Sequence, residues 1–595
     1  MNTISQLKIN LRNQKIDFFF LPNSNEFFVE YLPENEKRIQ YLTGFTGSNA
    51  SIIFTHKKSK FFTDGRYLLQ AKNELDLDEF EILDLATNPL FTWLEDNIKP
   101  GETLALGTKL SNINFVKSCE KIVTKKSARL VLLDQNPIDK VVDNFFQNPQ
   151  VTNKSPIYFC EDKLSGGDIK TKCSKILEDF EADALIVAKP ENICWLLNMR
   201  ASDVAFTPLL LTYAIIYKKG NIELFVDEKR FTNIPKAFEE RVTIVQHDCF
   251  DLRLSALKKS IKKIQIDPNT TNYWVYNLLL KNEFEIIFKN DNIELTKSCK
   301  NENEINSITK AHEVDGLAVT KFLFWLKESS EIDEIQAAEK LLWFRKKNKN
   351  FLYPSFATIS GFASNGAIIH YHPSLKTNKK LISSSLYLVD SGGQYFGKDF
   401  CGTTDITRTI AIGKPSAEMI KNFTRVLKGH IFLARAKFPV GTTGVQLDSL
   451  ARFHLWQEGL DYEHGTGHGV GNFLSVHEGP CGISKRSHQP LLPGMILSNE
   501  PGFYKEGEYG IRIENLMLVE KFDENFLQFR NLTLAPIDVD LTDFSMLTYP
   551  EKKWLLKYHE QIFTTLSPSL KTEEKTMLNG IVNQYEFHFR NPKKS

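Results

Sequence analysis

The sequence predicts a mixed α/β (α+β) chain built as three successive units, and three observations carry that prediction. Helix-then-strand patterning occurs twice in the first half, as LKINLRNQKIDFFFLP and again as CSKILEDFEADALIVAKP. Around residue 300 the texture changes to long amphipathic helical segments. Beyond that point lie all the stretches in which Gly, His, Asp and Glu are embedded in apolar surroundings. A chain of 595 residues is also too long for one core, and roughly three or four domains are expected from length alone.

The first unit, 1–150, contains the strand-like runs DFFFLP, ASIIFTHKKSKFFTDGRY (alternating around a turn) and LVLLD, with helical segments between them. The Asn- and Pro-rich NPIDKVVDNFFQNPQVTNKSP reads as the connection out of it. The second unit, 151–302, opens with the helical pattern IKTKCSKILEDFEADA and the apolar strand ALIVAKP. It continues through the hairpin pattern LLLTYAIIYKKGNIELFVD to IQIDPN. The third, 303–595, opens with two amphipathic helices, KNENEINSITKAHEVDGLAVTKFLFWLKESS and EIDEIQAAEKLLWFRKKN.

Composition narrows the function classes. With 74 basic and 73 acidic residues the formal charge is +1, which gives no global reason to expect a nucleic-acid partner. No run of about 18 apolar residues suggests a membrane span, and the N-terminus lacks the apolar region of a signal peptide. The eight cysteines are scattered without a CxxC pair, as in a reduced, cytoplasmic protein.

The chemistry is expected after residue 350. AIIHYHP carries His370 and His372, LYLVDSGGQY carries Asp390, and GTTDITRT carries Asp405. HGTGHGVG carries His464 and His468, and LSVHEGP carries His477 and Glu478. MILSNEPGFY carries Glu500, and YGIRIENLMLVE carries Arg512 and Glu514. Two histidines four apart would share one face of a helix, but four glycines in eight residues, each costing about 1 kcal/mol there, argue against one. Asp390 and Asp405 fall on strands that read as a hairpin, so their carboxylates can lie side by side. Glu514 and Arg512 share one face of the alternating strand IRIENLMLV.

Singly, each of these has an ordinary reading as a turn residue or half of a surface ion pair. Together, four carboxylates on half-buried strands would repel one another, and bound divalent cations remove that cost. Four carboxylates and one imidazole carry a charge of about −4, which two M²⁺ ions neutralise, leaving room for a bridging water. Mainly oxygen donors favour Mn²⁺, with Co²⁺ or Zn²⁺ as alternatives.

In order, AIIHYH, DSGGQY…GTTDITRT, HGTGHGVG, VHEGP, NEPGFY and IRIEN resemble the signature of the creatinase/aminopeptidase fold, and within it the Xaa-Pro aminopeptidase (aminopeptidase P) family. YLTGFTGSNASIIFTHKKSKFFTDGRY and WLLNMRASDVAFTPLLLTYAIIY resemble that family's first and second domains. The resemblance implies two creatinase-like N-terminal domains followed by a pita-bread catalytic domain. It implies metal ligands Asp390, Asp405, His468, Glu500 and Glu514, with His370, His464 and His477 on the substrate side. The implied activity is release of an N-terminal residue from peptides with proline second, by a homodimer.

On that reading Glu500 is the general acid–base and His464 stabilises the oxyanion. Arg512 orients a ligand carboxylate and belongs to the substrate-binding set. One departure stands out. The family runs from its first Asp to its second over about eleven positions, whereas Asp390 and Asp405 are fifteen apart, the extra residues lengthening a hairpin turn. The TTDITRT context selects Asp405 over Asp399.

Overall fold

The computed structural model describes residues 3–142 and 155–591. The expected boundary at 150/151, and most of the connection read into NPIDKVVDNFFQNPQVTNKSP, lie outside the described residues. Contacts divide the chain into two compact units, one of 1–162 with 167–293 and the other of 163–166 with 294–595.

The N-terminal unit contains two six-stranded sheets. In the first, β1 (Phe18–Pro22), β2 (Ser51–Phe54), β3 (Ser59–Thr63), β4 (Phe80–Asp84), β5 (Thr103–Gly107) and β6 (Arg129–Leu133) lie in the order β4-β3-β2-β1-β5-β6. The strand β1 is apolar throughout because both faces are covered. Phe19 and Leu21 enter one core with Leu7 and Leu11 of the helix Thr3–Asn13, while Phe18 and Phe20 enter the other with Val116 and Ile122 of the helix Ile113–Lys125.

A short ladder joins β7 (Tyr158–Phe159) to β9 (Met199–Arg200). The second sheet holds β8 (Ala184–Val187), β10 (Ala214–Tyr217), β11 (Ile222–Phe225), β12 (Val242–Val245), β13 (Lys263–Ile266) and β14 (Glu285–Phe288), ordered β12-β11-β10-β8-β13-β14. In each sheet the central strand pairs antiparallel on one side (β1 with β2, β8 with β10) and parallel on the other (β1 with β5, β8 with β13). The repeated helix-then-strand text is therefore matched by a repeated topology.

In the C-terminal unit the helix Glu302–Glu328 begins at a capping box formed by Asn301 and Glu304, and Glu334–Arg345 at one formed by Asp333 and Gln336. Four sheets follow. Three strands order as β15 (Phe351–Pro354), β18 (Gly393–Phe396) and β19 (Cys401–Thr403), and three as β16 (Ile359–Phe362), β17 (Ser385–Ser391) and β20 (Ile406–Ile412). The six-stranded sheet contains β21 (Lys437–Pro439), β22 (Gly467–Gly469), β23 (Glu478–Ile483), β24 (Ile496–Asn499), β27 (Asn515–Lys521) and β28 (Phe526–Asn531). Its order is β21-β28-β27-β24-β22-β23. A two-stranded ribbon pairs β25 (Gly502–Lys505) with β26 (Tyr509–Arg512). This mixed α/β arrangement is the pita-bread architecture expected of the third unit.

Two local readings change. IRIENLMLV is not one strand: β26 ends at Arg512 and β27 starts at Asn515, leaving Ile513 and Glu514 in the break between two sheets. The expected hairpin is likewise split, since β17 and β20 form one pair while β18 and β19 form the pair nearer the turn. One register nevertheless runs through both, with Asp390 opposite Thr407 and Gln394 opposite Thr403. Asp405, two residues before Thr407, thus stays on the Asp390 side despite the long spacing.

Candidate metal centre

The HGTGHGVG segment contains β22, an extended piece and not a helix, and the backbone packing explains its glycines. A Cβ on Gly467 would lie 2.0 Å from the Ser498 carbonyl oxygen, and one on Gly469 would lie 2.2 Å from that of Glu478. Only a bare backbone fits there, and it brings His468 between β23 and β24.

Asp405, His468 and Glu514 each offer one ligand atom, and these atoms lie within 4.8 Å of one another. His468 Nε2 is 3.5 Å from Asp405 Oδ2 and 3.5 Å from Glu500 Oε1. Its Nδ1 lies 2.9 Å from the Gly469 carbonyl, so Nδ1 carries the donated proton and Nε2 keeps its lone pair toward the carboxylates. Glu500 Oε1 accepts from Ser498 Oγ (3.0 Å), and Ser498 Oγ in turn accepts the His468 backbone N–H (2.9 Å). Glu514 Oε2 accepts from Thr407 Oγ1 (2.8 Å), and its backbone N–H donates to the Thr407 carbonyl.

Asp390 joins the cluster through Arg512, whose Nη2 donates to Asp390 Oδ2 at 2.7 Å. Arg512 is 1% exposed and also donates to Tyr504 Oη (2.6 Å), Thr407 Oγ1 (3.2 Å) and the Ile369 carbonyl (3.3 Å). It sits behind Asp390, with its guanidinium engaged by the protein.

The electrostatics describe a site built for positive charge. Burial, and then the neighbouring carboxylates, push Asp405 and Glu514 well above the ordinary carboxylate range. Burial raises Glu500 as well, opposed by His468 and Arg512. The buried Asp390 Oδ1 and Asp405 Oδ1 have no hydrogen-bond partner among the described residues. Orphaned carboxylate oxygens, a correctly turned imidazole and mutually repelling acids fit divalent cations, whose charge satisfies all three.

The three histidines expected on the substrate side stand in different relations to this cluster. His477 is exposed and stands edge-on to His468, ring centroids 4.3 Å apart. His370 follows Ile369, whose carbonyl Arg512 holds. His464 reaches the cluster through Tyr504: its Nε2 lies 2.8 Å from Tyr504 Oη, giving a chain His464–Tyr504–Arg512–Asp390. Arg452, braced by Asp448, donates to the His464 carbonyl. His372 lies on the exterior near the Thr358 carbonyl, and Glu478 turns away to Lys297 and Lys300.

Sequence reasoning missed Tyr504 and Thr407. The signal for Tyr504 was a glycine: Gly502 pairs with Arg512 in the β25–β26 ribbon, and a Cβ on Gly502 would lie 2.7 Å from Tyr504 Oη. The phenol folds over that bare position to reach the guanidinium.

Comparison with known proteins agrees along the whole chain. The signature described as metallopeptidase family M24 matches residues 306–521, and the C-terminal region of peptidase M24 matches 525–580. The creatinase/prolidase N-terminal domain matches twice, at 4–139 and 147–304. Xaa-Pro aminopeptidase 1 of Dictyostelium discoideum is 36% identical over 98% of this chain and 95% of its own. A solved structure of an X-prolyl aminopeptidase from Caenorhabditis elegans, described as a cytosolic enzyme with a di-nuclear active site, is 30% identical. It superposes with a TM-score of 0.90, covering 97% of this chain and 99% of that one. The prolidase from Pyrococcus horikoshii OT3, at 26% identity and a TM-score of 0.50, covers 62% of this chain and 99% of its own.

Proposed function

The chain belongs to the Xaa-Pro aminopeptidases of metallopeptidase family M24, and from that membership we propose that it removes the N-terminal residue from peptides whose second residue is proline. The observation that carries this reading is the convergence of Asp405, His468 and Glu514 ligand atoms within 4.8 Å, beside two orphaned carboxylate oxygens. Asp390, Asp405, His468, Glu500 and Glu514 would hold two divalent cations, with Mn²⁺ favoured by the oxygen-rich donor set. Bound there, the ions supply Lewis acidity that lowers the pKa of a water and polarises the scissile carbonyl.

The side chains do the remaining work. Glu500 takes the proton of the attacking water and delivers it to the proline nitrogen as the C–N bond breaks. That nitrogen carries no hydrogen in the peptide, so the delivered proton is what makes it a leaving group. His464, held at Nδ1 by the Gly465 carbonyl and at Nε2 by Tyr504, stabilises through that pair the negative charge that develops on the carbonyl oxygen. His370 and His477 flank the substrate around the scissile bond. Arg512 fixes Asp390 and Tyr504 relative to each other.

Cytoplasmic residence and a homodimer belong to the same reading. The exposed aromatic trio Phe432, Phe453 and Trp456 supports the dimer by offering an apolar face, and no helix among the described residues is long and apolar enough to cross a membrane. The substrate assignment is tested with Mn²⁺-loaded protein on Arg-Pro-Pro, Arg-Ala-Pro and the dipeptide Arg-Pro. Release of arginine from Arg-Pro-Pro, with Arg-Ala-Pro spared, supports it. Hydrolysis of the dipeptide alone refutes it in favour of a prolidase.

A further inference from the structure

The first sheet of the N-terminal unit has a feature that the peptidase reading does not use. Its chain runs from the central β1 outward through β2, β3 and β4, then returns to β5 on the other side of β1. The gap between β1 and β5 is thus a topological switch point, where α/β sheets form a crevice beyond the C-terminal ends of parallel strands. A cavity of about 190 Å³ opens there. It is lined by Asn25 and Glu26 after β1, by Lys109 after β5 and by Asp134 and Asn136 after β6, with Glu36, Arg38 and Asp139 closing it.

The lining charges do not balance. Arg38 makes a two-pronged pair with Asp139 (2.9 and 3.2 Å), and Lys109 pairs with Glu26 (3.2 Å) while lying over the Trp274 ring. Half-buried Glu36 and solvent-exposed Asp134 remain as carboxylates outside these ion pairs, held by the neutral donors Asn25 Nδ2 (2.8 Å) and Thr108 Oγ1 (3.0 Å). Burial raises the Glu36 carboxyl above its ordinary value despite the Asn25 hydrogen bond and the nearby Arg38 and Lys109 charges.

Asn136 supplies the independent sign of a ligand. It is 8% exposed, and its Oδ1 caps the helix Pro137–Val141 by accepting from the Ile138 N–H, which fixes the amide orientation. Its Nδ2 has no acceptor among the described residues. A molecule satisfying this cavity carries two cationic groups, for Glu36 and Asp134, and one acceptor, for Asn136, within the size of one amino acid. A bare metal ion leaves most of the volume and the amide donor unsatisfied.

We propose that this crevice binds a free basic α-amino acid, its ammonium and side-chain cation meeting Glu36 and Asp134 and its carboxylate meeting Asn136. The site lies wholly within the first sheet and its loops and stands independently of the peptidase reading.

The test is calorimetric titration of the full chain with L-arginine and with agmatine, which lacks the carboxylate. Asn136→Asp keeps the helix cap but replaces the donor by a carboxylate, and Glu36→Gln keeps the acceptor for Asn25 but removes the charge. The expected result is a binding event with L-arginine that weakens at least tenfold in each variant and at least tenfold for agmatine. Binding of L-arginine undiminished in both variants, agmatine binding as tightly as arginine, or no binding at all would each overturn the proposal.

Discussion

At the scale of single residues, the site rests on which carboxylate occupies which oxygen position. Asp399 and Asp405 are both acids in the same hairpin, but Asp399 is exposed near the turn whereas Asp405 is 4% exposed and faces His468. Asp405→Asn is expected to lower peptidase activity more than about a hundredfold, and Asp399→Asn to leave it within about twofold. Steady-state kinetics on the purified variants check both. The raised carboxyls give a pH prediction. In metal-free protein, Asp405 and Glu514 have folded pKa values above their unfolded ones, so they weaken the fold as pH rises above the ordinary carboxylate range. Metal binding removes that weakness. The rise in Tm on adding Mn²⁺ is therefore larger at pH 7.5 than at pH 5.5; an equal or reversed difference would contradict the electrostatic account. The acids of this cluster were legible in the sequence because charge embedded in apolar text is conspicuous. Tyr504 was not, because its role depends on folding over Gly502 in the β25–β26 ribbon, and that glycine gains its meaning only once the ribbon places it opposite Arg512.

At the scale of elements, backbone proximity explains both the success and the error of reading by periodicity. Glycine density ruled out a helix for HGTGHGVG, and the structure gives the reason in the Ser498 carbonyl against Gly467. Gly467→Ala is expected to destabilise the protein by roughly 3 kcal/mol through the forced separation of β22 from β24. Chemical denaturation measures this, and a loss under about 0.5 kcal/mol would show that the strands can part. IRIENLMLV alternates as one strand would, yet it serves two sheets. Alternation reports which residues are buried, and a break that hands the chain from one sheet to another preserves the alternation while changing the partners.

At the scale of the whole molecule, the mixed α/β class and the repeated N-terminal topology were readable because helix-then-strand order survives where residue identity does not. The pairing of three expected domains into two compact units was not, since it depends on contacts between distant segments. Global stability carries its own pH signature. His559 is buried, accepts the Ile537 N–H at Nε2, and is pushed down to about 3 by burial. Its folded pKa lies below the unfolded value, so the stability it contributes is complete above about pH 6.5 and is lost as pH falls from there toward 3. His559→Gln is expected to flatten the fall in unfolding free energy between pH 6.5 and 4.5 by about 1.4 kcal/mol per pH unit. Urea titrations across that range check it, and an unchanged slope would mean that His559 is protonated in the fold.

The central claim is that five side chains assemble a two-cation centre that makes this chain a peptidase. Stepwise addition of Mn²⁺ to metal-stripped protein, followed by arginine release from Arg-Pro-Pro and by bound-metal analysis, tests it most directly. Activity is expected to climb to a plateau at two equivalents of tightly bound metal, and a Glu500→Gln variant to stay inactive at every point. Full activity in the stripped protein, or in the variant, would contradict it.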